Sequence, residues 1–247
     1  VPRCRTRLIV LLQQKHCNMQ AVILAAGRGT RMNELTDATP KPMLLVHGKS
    51  LLAHKLDALP KNIDEVIFVI GYQGQVIRDA FGESFNGRSI KYVEQTELNG
   101  TMGAVALAQP LIRGRFIVMM GADLYGTEEV QAACSAPDWV VVVEKTDTMG
   151  SGGKVLVDEG DIVTGIEEGD HRGTPGLMNT NLIVLDERIF EYPMVPKAEG
   201  SNEYGLPQTV LKASLAGGIP LHAVYATSWI QITSPEDLAR AESIIAP

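Results

Sequence analysis

The stretch AVILAAGRGTRM, Ala21 to Met32, sets a short apolar run directly against Gly27, Gly29 and Arg31. An unbroken run such as Ala21 to Ala25 reads as a strand buried on both faces. The glycines behind it lack side chains, so their backbone amides can approach a ligand and point N–H groups at phosphate. A single GxG pair leaves the kind of phosphate site open. A dinucleotide fingerprint needs a third glycine at position 32 and an acid closing the second strand, whereas the chain has Met32 and Ile70-Gly71. A Walker loop ending at Gly48-Lys49-Ser50 needs a glycine at position 43, which is Met43. The glycine loop therefore serves another phosphate chemistry.

Working outward from that strand, short apolar runs alternate with helical patterns, the signature of βαβ units around a mostly parallel sheet. Ala21 to Ala25, Val66 to Ile70, Ile90 to Val93, Phe116 to Met120 and Val140 to Val143 read as strands. Helices are predicted near Leu51 to Leu59, Gln73 to Phe81, Met102 to Gln109 and Glu128 to Ala133. The fold class is α/β, a Rossmann-like αβα sandwich with a mostly parallel central sheet. Ligands in such sheets sit beyond the carboxyl ends of the strands, so the residues just after each strand are where a site is expected. After Lys145 come Gly-rich turns and short strands, Lys154 to Asp158, Ile162 to Ile166 and Leu177 to Leu185, a smaller β-rich extension. A helix around Gln208 to Leu215 stops at Gly217-Gly218, where a left-handed cap is expected. The last helix has Ser234 as N-cap, Pro235 at its first position, Glu236 and Asp237 at its positive end, and an apolar stripe of Leu238, Ala241 and Ile245.

With 247 residues, 45% hydrophobic and 21% charged, the chain has the composition of a globular protein that can build its own core. A net charge of −7 argues against nucleic acid as a partner, since binding a phosphate backbone needs a basic face. Cys4, Cys17 and Cys134 make neither a CxxC pair nor an even framework, which points to a reducing, cytoplasmic setting. The five histidines, at positions 16, 47, 54, 171 and 222, show no metal-ligand spacing. Residues 1–18 differ from the rest: Arg3, Arg5 and Arg7 precede an apolar run, Leu8 to Leu12, too short to span a bilayer. They are expected to be an upstream extension, with 19–247 as one domain. No membrane attachment is expected, and the patterns carry no signal for an oligomeric state.

Two cations follow the glycines, Arg31 and then Lys41, which TPKPML holds between Pro40 and Pro42. Arginine grips phosphate oxygens in pairs and lysine offers a compact point charge, and the prolines limit the ordering cost of aiming Lys41. The run GRGTRM followed by TPKPML resembles the signature of the sugar-1-phosphate nucleotidylyltransferases, and the resemblance runs from Met19 to Ala246. It implies that Leu24, Ala26, Gly27, Gly29 and Thr30 bind nucleotide, and that Gln95, Gly100 and Thr101 in EQTELNGTMGAVALA read the base. VMMGADLY resembles the strand end that supplies a magnesium-binding aspartate, here Asp123. MNTNLIV resembles the acceptor-binding strand and points to Asn179, with Gly153 and Glu168 near other acceptor positions. WIQITSPEDLARAE resembles the closing segment. The resemblance divides the domain into a nucleotide-binding half, 19–145, and an acceptor-binding half, 146–247.

The reaction implied is in-line attack by a substrate phosphate oxygen on the α-phosphorus of a nucleoside triphosphate, with pyrophosphate leaving. Arg31 and Lys41 would neutralise the phosphates and Asp123 would hold Mg²⁺, a hard ion that prefers carboxylate oxygen. Donor and acceptor are expected to be UTP or dTTP and a sugar-1-phosphate. Alternatives are a CTP-dependent cytidylyltransferase for a phosphorylated alcohol, such as inositol phosphate or phosphocholine, and a non-catalytic nucleotide-sugar sensor. Two departures bear on this. Gln231 stands where many relatives carry a second metal-binding aspartate, leaving Asp237 or Glu203 as substitutes, and Gly205-Leu206-Pro207 alters the approach to a late helix.

Overall fold

The computed structural model describes residues 19–245, so the expected upstream extension of residues 1–18 lies outside the described residues. β1 (Met19–Ala25) runs to the glycine loop, after which come 3-10 turns at Thr30–Thr36 and Lys41–Met43. A small hairpin of β2 (Leu45–Val46) and β3 (Lys49–Ser50) leads into α1 (Leu51–Ala58). There follow β4 (Ile63–Ile70), α2 (Gly74–Phe81), β5 (Ser84–Phe85), β6 (Arg88–Glu94), α3 (Thr101–Ala108), β7 (Phe116–Met120), α4 (Thr127–Ser135) and β8 (Trp139–Thr146). Then come β9 (Ser151–Val157), β10 (Val163–Asp170), β11 (Gly176–Leu185), α5 (Leu206–Gly217), β12 (Leu221–Tyr225) and α6 (Pro235–Ile244).

The nucleus of the sheet is parallel, β7-β1-β4-β6, with β1 registered to β4 through Ala21↔Val66 and to β7 through Ala21↔Ile117. The β-rich extension continues this sheet: antiparallel β11 has β8 along one edge and β7 and β9 paired to successive parts of the other, with β10 beyond β9. β12 closes beside β8 in parallel. The central strands β1, β4, β7 and β8 carry continuous apolar runs because both faces are covered there, and alternation sorts their side chains into two cores. Ala21, Ile23, Phe68, Ile117, Met119, Val140 and Val142 face one core, with Leu52 and Leu56 of α1, Ile77 of α2 and Val130 of α4. Val22, Leu24, Ile67, Val69, Val118, Val141 and Val143 face the other, with Met102 and Val105 of α3 and Val210 of α5.

A third cluster supports the site. Met32, Leu44, Val46 and Leu51 pack with Leu124, Ile230, Ile232 and Ala241, so the glycine loop, the hairpin, the end of β7 and α6 share one apolar floor. α6 starts as its sequence dictates: Ser234 Oγ accepts from Asp237 N while Asp237 Oδ2 accepts from Ser234 N at 3.0 Å, a reciprocal cap. α5 ends where Gly218 takes a left-handed φ of 60°. No helix among the described residues is long and apolar enough to cross a membrane.

Candidate functional site

Beyond the carboxyl ends of β1 and β7 lies a cleft of about 490 Å³, lined by Leu24, Ala26, Gly27, Gly29, Arg31, Lys41, Gln95, Gly100, Thr101, Asp123 and Glu168 among others. Sequence reasoning had named each of these from segments far apart along the chain. The glycine loop is braced from the end of β4, where Tyr72 N donates to Ala26 O at 3.1 Å and the Tyr72 hydroxyl reaches Thr36 O at 3.3 Å. Gly29 is required as glycine: its φ is +66°, and a Cβ there would sit 2.8 Å from Lys41 Cβ. That close approach lays Lys41 against the loop. The Lys41 ammonium donates to the Ile232 carbonyl. Burial lowers its pKa, with Arg31 adding to the effect and Asp123 opposing it.

Asp123 is 6% exposed, and Ile232 N donates to its Oδ1 at 3.4 Å. Burial pushes its carboxyl up to about 6, against the pull of the Lys55 and Lys41 ammoniums and the Ile232 bond. Lys55, which sequence reasoning passed over, comes up from α1 to donate to the Asp123 carbonyl. A signal for it existed in HKLDAL, because Lys55 shares a helical stripe with Leu52, Leu56 and Leu59, three buried positions. Gln231 lines the cleft, and of the two acids that could stand in for it Glu203 lines the cleft and Asp237 does not. Asp237 accepts from Thr233 N at 2.9 Å and Thr233 Oγ1 at 2.7 Å, capping α6, and Glu203 sits on the cleft rim, 3.9 Å from Lys197. Among the described residues no cluster of three or more His, Cys, Asp or Glu is placed to hold a metal.

The base end of the cleft is built by a backbone crossing. Gly100 adopts φ +95°, and a Cβ there would collide with the Tyr204 backbone at 2.3 Å. Tyr204 N donates to Asn99 O at 2.8 Å and Met102 N to Tyr204 O at 3.0 Å, so the loop before α3 is sewn to the loop before α5. Gln95 is buried, and its Nε2 donates to Asn99 Oδ1 at 3.1 Å and Gly100 O at 3.4 Å. A carbonyl can only accept, so the Gly100 bond decides which way the amide points and leaves Oε1 as the acceptor end.

Three expected site residues stand outside the lining. Thr30 is exposed on the rim. Gly153 and Asn179 are buried against one another on β9 and β11, a Cβ on Gly153 falling 3.3 Å from Asn179 Cβ. The cause is a bulge: β11 pairs Asn179 with Val143 but Ile183 with Val141, and Asn181 takes a left-handed φ of 59°. Asn179 Oδ1 then accepts from Asn181 N at 2.9 Å, and it is Asn181 that lines the cleft. Gln208, also unforeseen, lines it too and donates to Glu168 Oε1 at 3.2 Å, while its own Oε1 is buried without a partner. Lys145 lies outside the lining, and Trp229 is buried in a core.

The chain is 27% identical to the bifunctional protein GlmU of Methanococcus aeolicus over 92% of its length, but spans only 54% of that protein, about half. It is 28% identical to the UTP–glucose-1-phosphate uridylyltransferase AglF of Haloferax volcanii, with 91% of this chain and 95% of AglF covered. The solved structure of the inositol-1-phosphate CTP transferase from T. maritima shares the fold, with a TM-score of 0.70 at 20% identity, covering 93% of this chain and 99% of that one. The model of the nucleotidyl transferase family matches residues 20–239, and the chain belongs to that family.

Proposed function

We propose that the protein transfers a nucleoside monophosphate from UTP or dTTP to a sugar-1-phosphate and releases pyrophosphate. The observation that carries this reading is the convergence of the glycine loop, Arg31, Lys41, Asp123 and Gln95 on one cleft. Arg31 and Lys41 would grip the triphosphate and neutralise the leaving pyrophosphate, and the walls would hold the acceptor phosphate in line with the α-phosphorus. No side-chain nucleophile is needed. The donor set suits Mg²⁺, which takes one or two carboxylates together with substrate phosphates. Asp123 would hold it with the Gln231 amide oxygen beside it, and the ion would add charge neutralisation at the reacting phosphates.

Gln95 bears on the base. With Nε2 committed to Gly100 O, its Oε1 can only accept, which suits the ring N–H of uracil, thymine or guanine. The unprotonated ring nitrogens of cytosine and adenine would meet it acceptor to acceptor, so those bases could pair with it only through their exocyclic amines, a different placement of the ring in the cleft. AglF, a uridylyltransferase by name, agrees with this choice. At the acceptor end Glu168, Asn181 and Gln208 offer a carboxylate and two amides, a set suited to sugar hydroxyls.

Gln231 in place of an acid supports a second reading, a sensor that binds nucleotide without turnover. Pyrophosphate release with Mg²⁺, across the common nucleoside triphosphates and a panel of sugar-1-phosphates and alcohol phosphates, separates the readings. UTP or dTTP with one sugar-1-phosphate should give release that Asp123→Ala abolishes. Release with CTP and a phosphorylated alcohol alone would overturn the base argument, and nucleotide binding without release would favour the sensor.

A further inference from the structure

Lys55 reaches Asp123 from the core side. It is 1% exposed, and its ammonium lies 5.2 Å from the centroid of the Tyr125 ring while donating to the Asp123 carbonyl. The Tyr125 hydroxyl is itself anchored on Thr180 O at 3.0 Å. From the cleft side, Lys41 donates to Ile232 O, and Ile232 N donates to the Asp123 carboxylate. Asp123 therefore stands between two ammoniums. Packing alone does not ask for the lower one: α1 buries Leu51, Leu52 and Leu56 beside it, and an apolar residue would fill the position without the several kcal/mol that burying a charge costs. The ammoniums acting on Asp123 are Lys55 and Lys41, with Arg31 and Asp237 acting in turn on Lys41, and Gln231 on the cleft wall is neutral.

We propose that Lys55 is a positioning residue for the transfer reaction: a positive charge built beneath Asp123 that supplies part of the site's charge neutralisation, so that a divalent ion is held loosely and only together with nucleotide phosphates. This rests on the nucleotidyltransferase reading above. A lysine that only filled space would leave metal affinity unchanged or, by loosening Asp123 when removed, weaken it. A lysine that acts by charge does the opposite, because taking away a like charge strengthens the hold on a cation.

Mn²⁺ binding, followed by electron paramagnetic resonance at slightly acidic pH with and without a non-reactive triphosphate analogue, tests this on the whole chain. Wild type should bind Mn²⁺ measurably only with the analogue present. Lys55→Met should tighten Mn²⁺ about tenfold while lowering kcat, and Lys55→Arg should keep the wild-type affinity. Lys55→Gln, which retains a donor for the Asp123 carbonyl, serves where the methionine variant does not fold and should tighten Mn²⁺ likewise. Unchanged or weaker Mn²⁺ binding in a folded neutral variant overturns the proposal, as does a wild type that holds Mn²⁺ tightly without nucleotide. The underlying reading is judged separately: a wild type that binds the analogue yet releases no pyrophosphate with any substrate pair defeats the transferase reading, whatever its Mn²⁺ affinity.

Discussion

At the scale of single residues, the phosphate end of the cleft depends on a contact between a missing side chain and a present one. Lys41 lies where Gly29 has no Cβ, at a φ that L side chains rarely adopt. Gly29→Ala should strain the loop and push Lys41 aside, lowering kcat/KM about tenfold, roughly 1.4 kcal/mol of transition-state stabilisation, with little change in circular dichroism. Lys41→Ala and Arg31→Ala should each lower turnover about tenfold or more in the same pyrophosphate assay. Wild-type rates in both would remove them from the reaction. These residues were legible in the sequence because phosphate chemistry demands glycines and cations at short spacing after a strand. Lys55 was passed over: its helical stripe marks it as buried, but nothing in the sequence brings α1 beneath Asp123, far away along the chain. Asn181 was hidden for another reason: the resemblance points to Asn179, and a period of two puts both asparagines on one face, whereas the bulge buries Asn179 and turns Asn181 to the cleft.

Elements were legible wherever one signal dominated. The central parallel strands hold unbroken apolar runs, Ala21 to Ala25 and Val66 to Ile70, and α6 carries Ser234, Pro235 and Asp237 in the order a capped helix needs. The hairpin β2–β3, the short β5 and β12 were not foreseen; β2, β3 and β5 are strands of two residues, too short to show a period, and β12 is five residues whose burial alternates but whose sequence, LHAVY, is not a continuous apolar run. The cap on α6 links an element to the site, since Thr233 and Ser234, held by Asp237, directly follow Ile232, which touches both Lys41 and Asp123. Asp237→Ala should therefore do two things. It should cost about 1 kcal/mol of stability, seen as a lower Tm, as loss of an N-cap does. It should also raise the KM for the triphosphate, because the turn that presents Ile232 loosens. A lower Tm with unchanged KM would confine Asp237 to the helix.

For the whole molecule, a sheet covered on both faces leaves its strand ends as the place where backbone groups and charges meet a cleft, and the cores beneath keep that end dry. Dryness acts on the global stability through Lys55 and Asp123, the charged pair at its base, with Lys41 and Tyr125 as the other groups facing them. Burial holds Lys55 down at about 7 against 10.5 for a free lysine, and Asp123 up at about 6 against 3.8. The Lys55 contribution is fully present above 10.5 and is lost progressively as pH falls from there to 7, because in that window the unfolded chain takes up a proton that the folded one does not. The Asp123 contribution runs the other way, full below 3.8 and lost as pH rises through 6. Denaturant unfolding without nucleotide, in a chelator, should thus show wild type gaining on Lys55→Met by roughly 1 kcal/mol per pH unit as pH rises from about 7 to about 9. Saturating nucleoside triphosphate should flatten that gain, since its negative charge draws the proton back onto Lys55. Parallel curves for wild type and variant in the nucleotide-free protein would mean that the ammonium is solvated, and that the floor of the cleft is not the dry layer the three apolar clusters describe.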